Sequence, residues 1–181
     1  MKTNTREITY TAILLAIGVM LPRFVNIIPI PNLASILSPM HIPVLICGFL
    51  VSWKYAGLLG LMLPLVAFLI NGMPPIFPVG ISMMAELATY GIAAALLFKY
   101  TRGRILISLI GAMLLGRIVM GIMNTILLGF AGVPYGLEVF LASAFINMIP
   151  GIITHIIIVP LIVKALIRAR LSIHRPNIAR L

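Results

Sequence analysis

The chain has 181 residues, of which 62% are hydrophobic and 9% charged, and its mean hydropathy is +1.20. Soluble globular domains are about 45–50% apolar, so this composition excludes a soluble protein and predicts one integral membrane domain over residues 1–181. The net charge of +10 does not indicate a nucleic-acid partner, because the basic residues are scattered at the ends of apolar runs, where they act as topology signals.

Six apolar runs follow one another along the chain and are predicted to cross the membrane as helices. They cover residues 8–21, 42–52, 55–70, 76–98, 105–130 and 139–167. The second run is short, since about 20 residues cross a bilayer. Counting it as a span, however, places the basic residues of both termini and of the two inner turns on one side, and Arg23 on the other. Because cytoplasmic segments carry the excess of Lys and Arg, we expect an all-α bundle of six transmembrane helices with both termini cytoplasmic.

This topology predicts which connections face outward. Residues 22–41, rich in Pro, Asn and Ser, form the longest outer connection and are long enough to fold over the mouth of the bundle. The inner connections, 52–55 and 99–104, are tight. An elaborate outer side and a compact inner side favour a pocket that opens outward.

Two charged residues are predicted at membrane depth, Glu86 in the fourth run and Arg117 in the fifth. A charge at that depth is costly unless it meets a partner or a wet cavity, so each is a candidate functional residue. A substrate site accounts for both residues, and so does a buried structural ion pair.

Helical spacing places further polar side chains near this pair or closer to the outside. The predicted substrate-binding set comprises Glu86, Arg117, Asn124, Asn147, His41 and Tyr90. Three polar helix faces that converge predict a polar cavity in the outer half of the bundle. For Asn124 and Asn147, hydrogen bonds between helices are an equal alternative, and His41 also suits the end of a loop. His155 lies deeper and is expected to be a packed, hydrogen-bonded residue.

Enzyme chemistry is poorly supported by the sequence. The chain has no aspartate, three acidic residues in all, no His-Glu-x-x-His pair and a single cysteine, Cys47. We therefore expect no catalytic residues, no metal site and no cofactor. A subunit that binds only other proteins and a stand-alone secondary transporter remain alternatives, although the two halves show no convincing repeat.

The first predicted helix carries Ala12 and Ala16, two small residues one turn apart. Such a pair lets another helix backbone approach closely. We expect this face, in the cytoplasmic half of the helix, to contact another helix.

Several segments together resemble the substrate-binding S component of energy-coupling factor (ECF) vitamin transporters. They are the Ala12-xxx-Ala16 pattern, the long outer loop, Met-His-Ile-Pro-Val at 40–44, Gly-Met-Pro-Pro-Ile-Phe-Pro at 72–78 and Glu-Leu-Ala-Thr-Tyr-Gly at 86–91. The resemblance covers nearly the whole chain, and the last two segments are most similar to pantothenate-type members.

The resemblance implies a multi-pass protein of the bacterial cell membrane that binds a water-soluble vitamin at its outer side, with the loop 22–41 as a lid. It also implies docking of Ala12 and Ala16 on a transmembrane coupling subunit, which two ATPase subunits drive. Pantothenate is the favoured vitamin, because Arg117 suits its carboxylate and Glu86, Asn124 and Asn147 suit its hydroxyls and amide. Pyridoxine and niacin are the alternatives. The chain has no Gly-rich phosphate loop of its own, as expected of a subunit whose energy comes from partners.

Overall fold

A computed structural model describes residues 2–31, 33–169 and 171. Six of the described helical segments are long and apolar enough to cross a membrane, and they cover Thr5–Val25, Leu33–Leu50, Trp53–Asn71, Ile76–Tyr100, Ile105–Phe130 and Ile149–Arg168. The described residues contain no strand. The prediction of an all-α membrane protein with six spans is therefore confirmed. Of the basic residues predicted inside, Arg170, Arg175 and Arg180 lie outside the described residues.

The described residues form eight α-helices and two π-helical segments. The α-helices are α1 (Lys2–Val25), α2 (Leu33–Leu37), α3 (His41–Leu50), α4 (Trp53–Asn71), α5 (Ile81–Tyr100), α6 (Ile105–Phe130), α7 (Leu137–Leu141) and α8 (Ile149–Arg168). The π-helical segments are Ile76–Gly80, which leads into α5, and Ala142–Ile146, which follows α7.

The outer segment 22–41 contains more helix than the sequence indicated. Helix α1 continues through Pro22 to Val25, and α2 forms a short helix that packs against α8. Between α2 and α3 the chain turns at Ser38, whose φ of 46° is unfavourable for a residue with a side chain. Its hydroxyl donates to the Ser35 carbonyl at 3.0 Å, and this bond stabilises the turn.

The last apolar run, 139–167, is divided rather than continuous. It contains most of α7, then a π-helical segment, then α8, which begins at Ile149. Pro150 lies in the first turn of α8. Proline lacks an N–H, and in the first turn of a helix that N–H would have no partner within the helix, so Pro150 suits the beginning of α8.

Helix α3 lies at the centre of the bundle. Nine of its residues are buried, and it contacts α1, α4, α5 and α8. Phe49 of α3 packs edge-on against Phe98 of α5, with ring centroids 5.2 Å apart. Helices α4 and α5 also pack closely, since a side chain at Gly60 would collide with the backbone of Leu87. This central packing holds α3 and α5 side by side, and both contribute to the candidate site.

Helix α1 lies at the periphery and is attached near both ends. Near its beginning the buried carboxylate of Glu7 accepts hydrogen bonds from the backbone N–H of Ser52, at 3.0 Å, and from its hydroxyl. Near its end the Asn71 side chain donates to the Val19 carbonyl at 3.3 Å. The sequence analysis did not single out Glu7, because its contact with Ser52 joins residues that are 45 positions apart in the chain.

Candidate functional site

Glu86 is the centre of a buried polar cluster. One of its carboxylate oxygens, Oε1, lies 3.0 Å from Nη1 of Arg117, and the two side chains are each only 4% exposed. The hydroxyl of Tyr90, one turn further along α5, donates to the same oxygen at 2.9 Å. Because Tyr90 is fully buried on the face of α5 that meets α6, Glu86 and Tyr90 present one polar surface to Arg117.

Two histidines extend the cluster towards α3 and α8. Nε2 of His41, the first residue of α3, lies 3.6 Å from Oε2 of Glu86. The His41 ring stacks on that of His155, with centroids 5.9 Å apart and an interplanar angle of 23°. Nε2 of His155 lies 3.3 Å from the Ser38 carbonyl oxygen. The cluster therefore joins α3, α5, α6 and α8 to the turn that follows α2.

The structure thus brings together four of the residues predicted from the sequence: Glu86, Arg117, His41 and Tyr90. It places His155 beside them, buried and in contact with the Ser38 carbonyl as expected of a packed residue. Their convergence is possible because Gly116, the residue before Arg117, faces the Tyr90 ring and has no side chain to displace it.

Asn124 and Asn147 lie apart from this cluster. Asn124 is about 10 Å further along α6 than Arg117, and its amide donates to the Tyr135 hydroxyl at 3.3 Å. That hydroxyl lies 3.3 Å from the hydroxyl of Ser143. Asn147 is exposed, at the junction between the second π-helical segment and α8. Asn124 thus lies two turns beyond Arg117 along the same helix, and the role of the two asparagines as substrate ligands stays a prediction.

Several buried polar atoms of the cluster have no hydrogen-bond partner among the described residues. They are Nε of Arg117, both ring nitrogens of His41 and Nδ1 of His155. Buried polar groups are nearly always satisfied by protein, water or ligand. These four atoms are therefore the ones in the cluster that water or a ligand would have to satisfy.

A cavity of about 160 Å³ lies beside Arg117. Its other lining residues are Ile110, Met113, Leu114, Phe145, Ile152 and Ile156. The sequence analysis missed all of these, because an apolar side chain that lines a cavity and one that faces lipid give the same pattern. Among the described residues no group of three or more His, Cys, Asp or Glu is arranged to hold a metal ion. The arrangement suits recognition of a small molecule by hydrogen bonds and apolar contact.

Ala12 and Ala16 both lie on the exposed face of α1. Large apolar neighbours on that helix, including Ile13 and Ile17, are exposed as well. The face is open to lipid or to another helix, and its proposed role in docking rests on the sequence resemblance.

The family model described as "ECF transporter, substrate-specific component" matches residues 6–173. No curated protein and no solved structure matches the chain significantly.

Proposed function

We propose a function from one premise: the chain belongs to the family of substrate-specific components of ECF transporters. Components of this kind are membrane proteins that bind a small substrate and work with a membrane coupling subunit and ATPases. The family is one of transporter components and not of enzymes. In our proposal the chain captures a water-soluble vitamin at the outer side of the membrane for uptake driven by its partners.

The observation that carries this proposal is the buried cluster around Glu86. Charges inside a membrane protein are costly and commonly mark substrate pathways. Here the Arg117–Glu86 pair lies in a bundle of otherwise apolar packing, next to unsatisfied donors and a cavity. A purely structural pair would need neither the free donors nor the cavity.

The substrate we favour carries a carboxylate. Arg117 retains Nε for an additional acceptor while Nη1 bonds Glu86, and guanidinium groups bind carboxylates in strong, charge-assisted pairs. Pantothenate, which the sequence resemblance favours, has this group, and so does niacin. Pyridoxine lacks it and would rely on Glu86 and His41 as partners for its hydroxyls.

Transport in this proposal has two stages. The vitamin enters from outside and the segment 22–41, whose α2 already rests on α8, closes over it. The loaded chain then docks through Ala12 and Ala16 on the coupling subunit, and ATP hydrolysis by the partner subunits brings the pocket to the cytoplasm. The chain itself contributes binding and recognition.

Calorimetric titration of the detergent-purified protein with pantothenate, pyridoxine and niacin tests the proposal. We expect one of them to bind stoichiometrically, and the Arg117→Ala variant to lose about a hundredfold in affinity for a carboxylate substrate. Arg104→Ala is the matched control, because Arg104 is exposed at the beginning of α6, and it should bind as the unaltered protein does.

A failure of all three vitamins to bind would also be informative. If no vitamin titrates into monodisperse protein and Arg117→Ala lowers only the stability of the protein, Arg117 and Glu86 form a structural pair. The chain would then fit a membrane subunit that interacts only with other proteins.

A further inference from the structure

The turn at Ser38 joins the outer segment 22–41 to the Glu86 cluster. We infer that His155 is a positioning residue: its ring fixes this turn on α8 and thereby keeps α2 closed over a substrate bound at the cluster. The role in retaining a substrate rests on the proposed function, whereas the contact between His155 and the turn can be tested without a substrate.

The contact between His155 and Ser38 is buried and joins residues 117 positions apart in the chain. His155 is 1% exposed and Ser38 is 7% exposed. Nε2 of His155 lies 3.3 Å from the Ser38 carbonyl oxygen, and because that oxygen can only accept, Nε2 carries the hydrogen. A buried hydrogen bond is electrostatically stronger than one in water, so His155 fastens the turn to α8.

The backbone of Ser38 needs support from its surroundings. Its φ of 46° is unfavourable for a residue with a side chain, and such conformations persist only where neighbouring groups impose them. The Ser38 N–H donates to the Ala34 carbonyl at 3.0 Å, and its hydroxyl lies 3.4 Å from Sδ of Met148, just before α8. Met148 and His155 therefore support the turn from the same side.

The close approach of α2 to α8 depends on Gly151. A Cβ atom at this position would lie 2.5 Å from the carbonyl oxygen of Ile36 and 3.2 Å from that of Leu37. His155 lies one turn further along the same face of α8. This face therefore makes two successive contacts with the outer segment, one through a missing side chain and one through a ring.

The same turn leads directly into the Glu86 cluster. The Ser38 carbonyl also accepts the backbone N–H of His41, at 3.0 Å, so one oxygen is bonded to both α3 and α8. Nε2 of His41 lies 3.6 Å from Oε2 of Glu86, and the His41 ring stacks on that of His155. A substrate that contacts His41 is thus coupled to the turn, and by linkage the closed turn favours the bound substrate to the same extent.

Hydrogen exchange in the peptide 33–41 of the purified full chain measures how firmly the turn is fixed. His155→Gln keeps a donor at the same number of bonds from Cβ as Nε2, whereas His155→Met has a similar length and no donor. We expect exchange to be about fivefold faster in His155→Met than in His155→Gln, as the loss of one hydrogen bond predicts. Both variants should fold, because the Ser38 carbonyl retains the N–H of His41.

Thr154→Val is the control on α8, because the Thr154 hydroxyl donates to the Pro150 carbonyl within the same helix. Exchange in the peptide 33–41 of this variant should equal that of the unaltered protein. Equal exchange in His155→Met and His155→Gln would show that the hydrogen bond does not fix the turn, and the inference would be wrong.

Gly151→Ala tests the contact between α2 and α8 without changing a polar group. The added methyl meets the backbone carbonyl of Ile36, so α2 has to move away from α8. We expect faster exchange in the peptide 33–41 than in Gly129→Ala, the matched control, where the added methyl meets nothing within 4 Å. Equal exchange in these two variants would contradict the close packing of α2 on α8.

Dissociation of pantothenate from the purified protein tests whether the turn retains a substrate. We expect it to be about fivefold faster from His155→Met than from His155→Gln. Equal dissociation rates would remove this role from His155 while the proposed function stands. If exchange differs between the two variants but pantothenate, pyridoxine and niacin all fail to bind, His155 fixes the turn and it is the proposed function that fails.

Discussion

At the scale of single residues, the carboxylate of Glu86 holds the cluster together, because three other side chains contact it. Oε1 of Glu86 receives both Arg117 and Tyr90, and Oε2 faces His41. Exposed ion pairs contribute at most about 1 kcal/mol, but removing one partner of a buried pair costs about 3–5 kcal/mol because it leaves a buried charge alone. The loss of either partner is therefore costly, which keeps Glu86 and Arg117 together before any substrate arrives.

A substitution at Gly116, which has no polar side chain of its own, tests whether the position of Tyr90 matters to the cluster. In Gly116→Ala the added methyl collides with the Tyr90 ring and forces it away from Glu86. We expect a loss of about 1–3 kcal/mol in the free energy of unfolding, as for other overpacked sites, and weaker substrate binding. Thermal unfolding and titration of the purified variant measure the two effects.

Gly111→Ala is the matched control on the same helix. There the methyl meets only Cδ1 of Leu97 at 2.8 Å, the far end of a flexible side chain. This variant should unfold close to the temperature of the unaltered protein. Equal effects of the two substitutions would mean that the fit of Tyr90 against Gly116 is unimportant.

At the scale of secondary-structure elements, α1 combines firm attachment with a free face. Glu7 bonds the backbone N–H of Ser52, and the Val19 carbonyl accepts from Asn71, so the helix is fixed near both ends. Ala12 and Ala16, between these attachments, remain exposed. A fixed helix with a smooth exposed face is suited to close packing against a helix of another subunit.

Ala12→Trp tests this role. The bulky side chain projects from the exposed face of α1, so binding by the purified protein should be unchanged while uptake by cells that contain the whole transporter is blocked. Leu161→Trp, on a 69% exposed position of α8, is the control and should support normal uptake. Loss of binding in Ala12→Trp would show that α1 serves the pocket, and normal uptake would remove Ala12 from the docking face.

The sequence predicted the six membrane-spanning helices better than it predicted the residues at which they begin and end. Long apolar runs identified six spans because hydropathy over about 20 residues is a strong signal. The runs did not reveal the turn at Ser38 or the break before Ile149, since both depend on local backbone geometry. Likewise, charge at membrane depth singled out Glu86 and Arg117, whereas the cavity wall at Phe145 and Ile156 depends on tertiary packing that composition does not encode.

At the scale of the whole molecule, the candidate site lies apart from the basic residues at the helix ends. Helix order places Lys54, Lys99, Arg104 and Arg168 at helix ends on one side of the bundle, the side where Glu7 meets Ser52. The buried cluster lies well within the bundle, and the segments around α2 and α7 lie towards the other side. If the basic side is cytoplasmic, as the positive-inside tendency predicts, these segments face the medium from which a substrate arrives.

The central claim is that the Glu86 and Arg117 cluster holds a small carboxylate, and mass spectrometry of small molecules released from freshly purified protein tests it most directly. We predict one carboxylate-bearing compound per chain, present in the unaltered protein and in Arg104→Ala and absent from Arg117→Ala. Recovery of lipid alone, or of the same compound in equal amount from Arg117→Ala, would contradict the account.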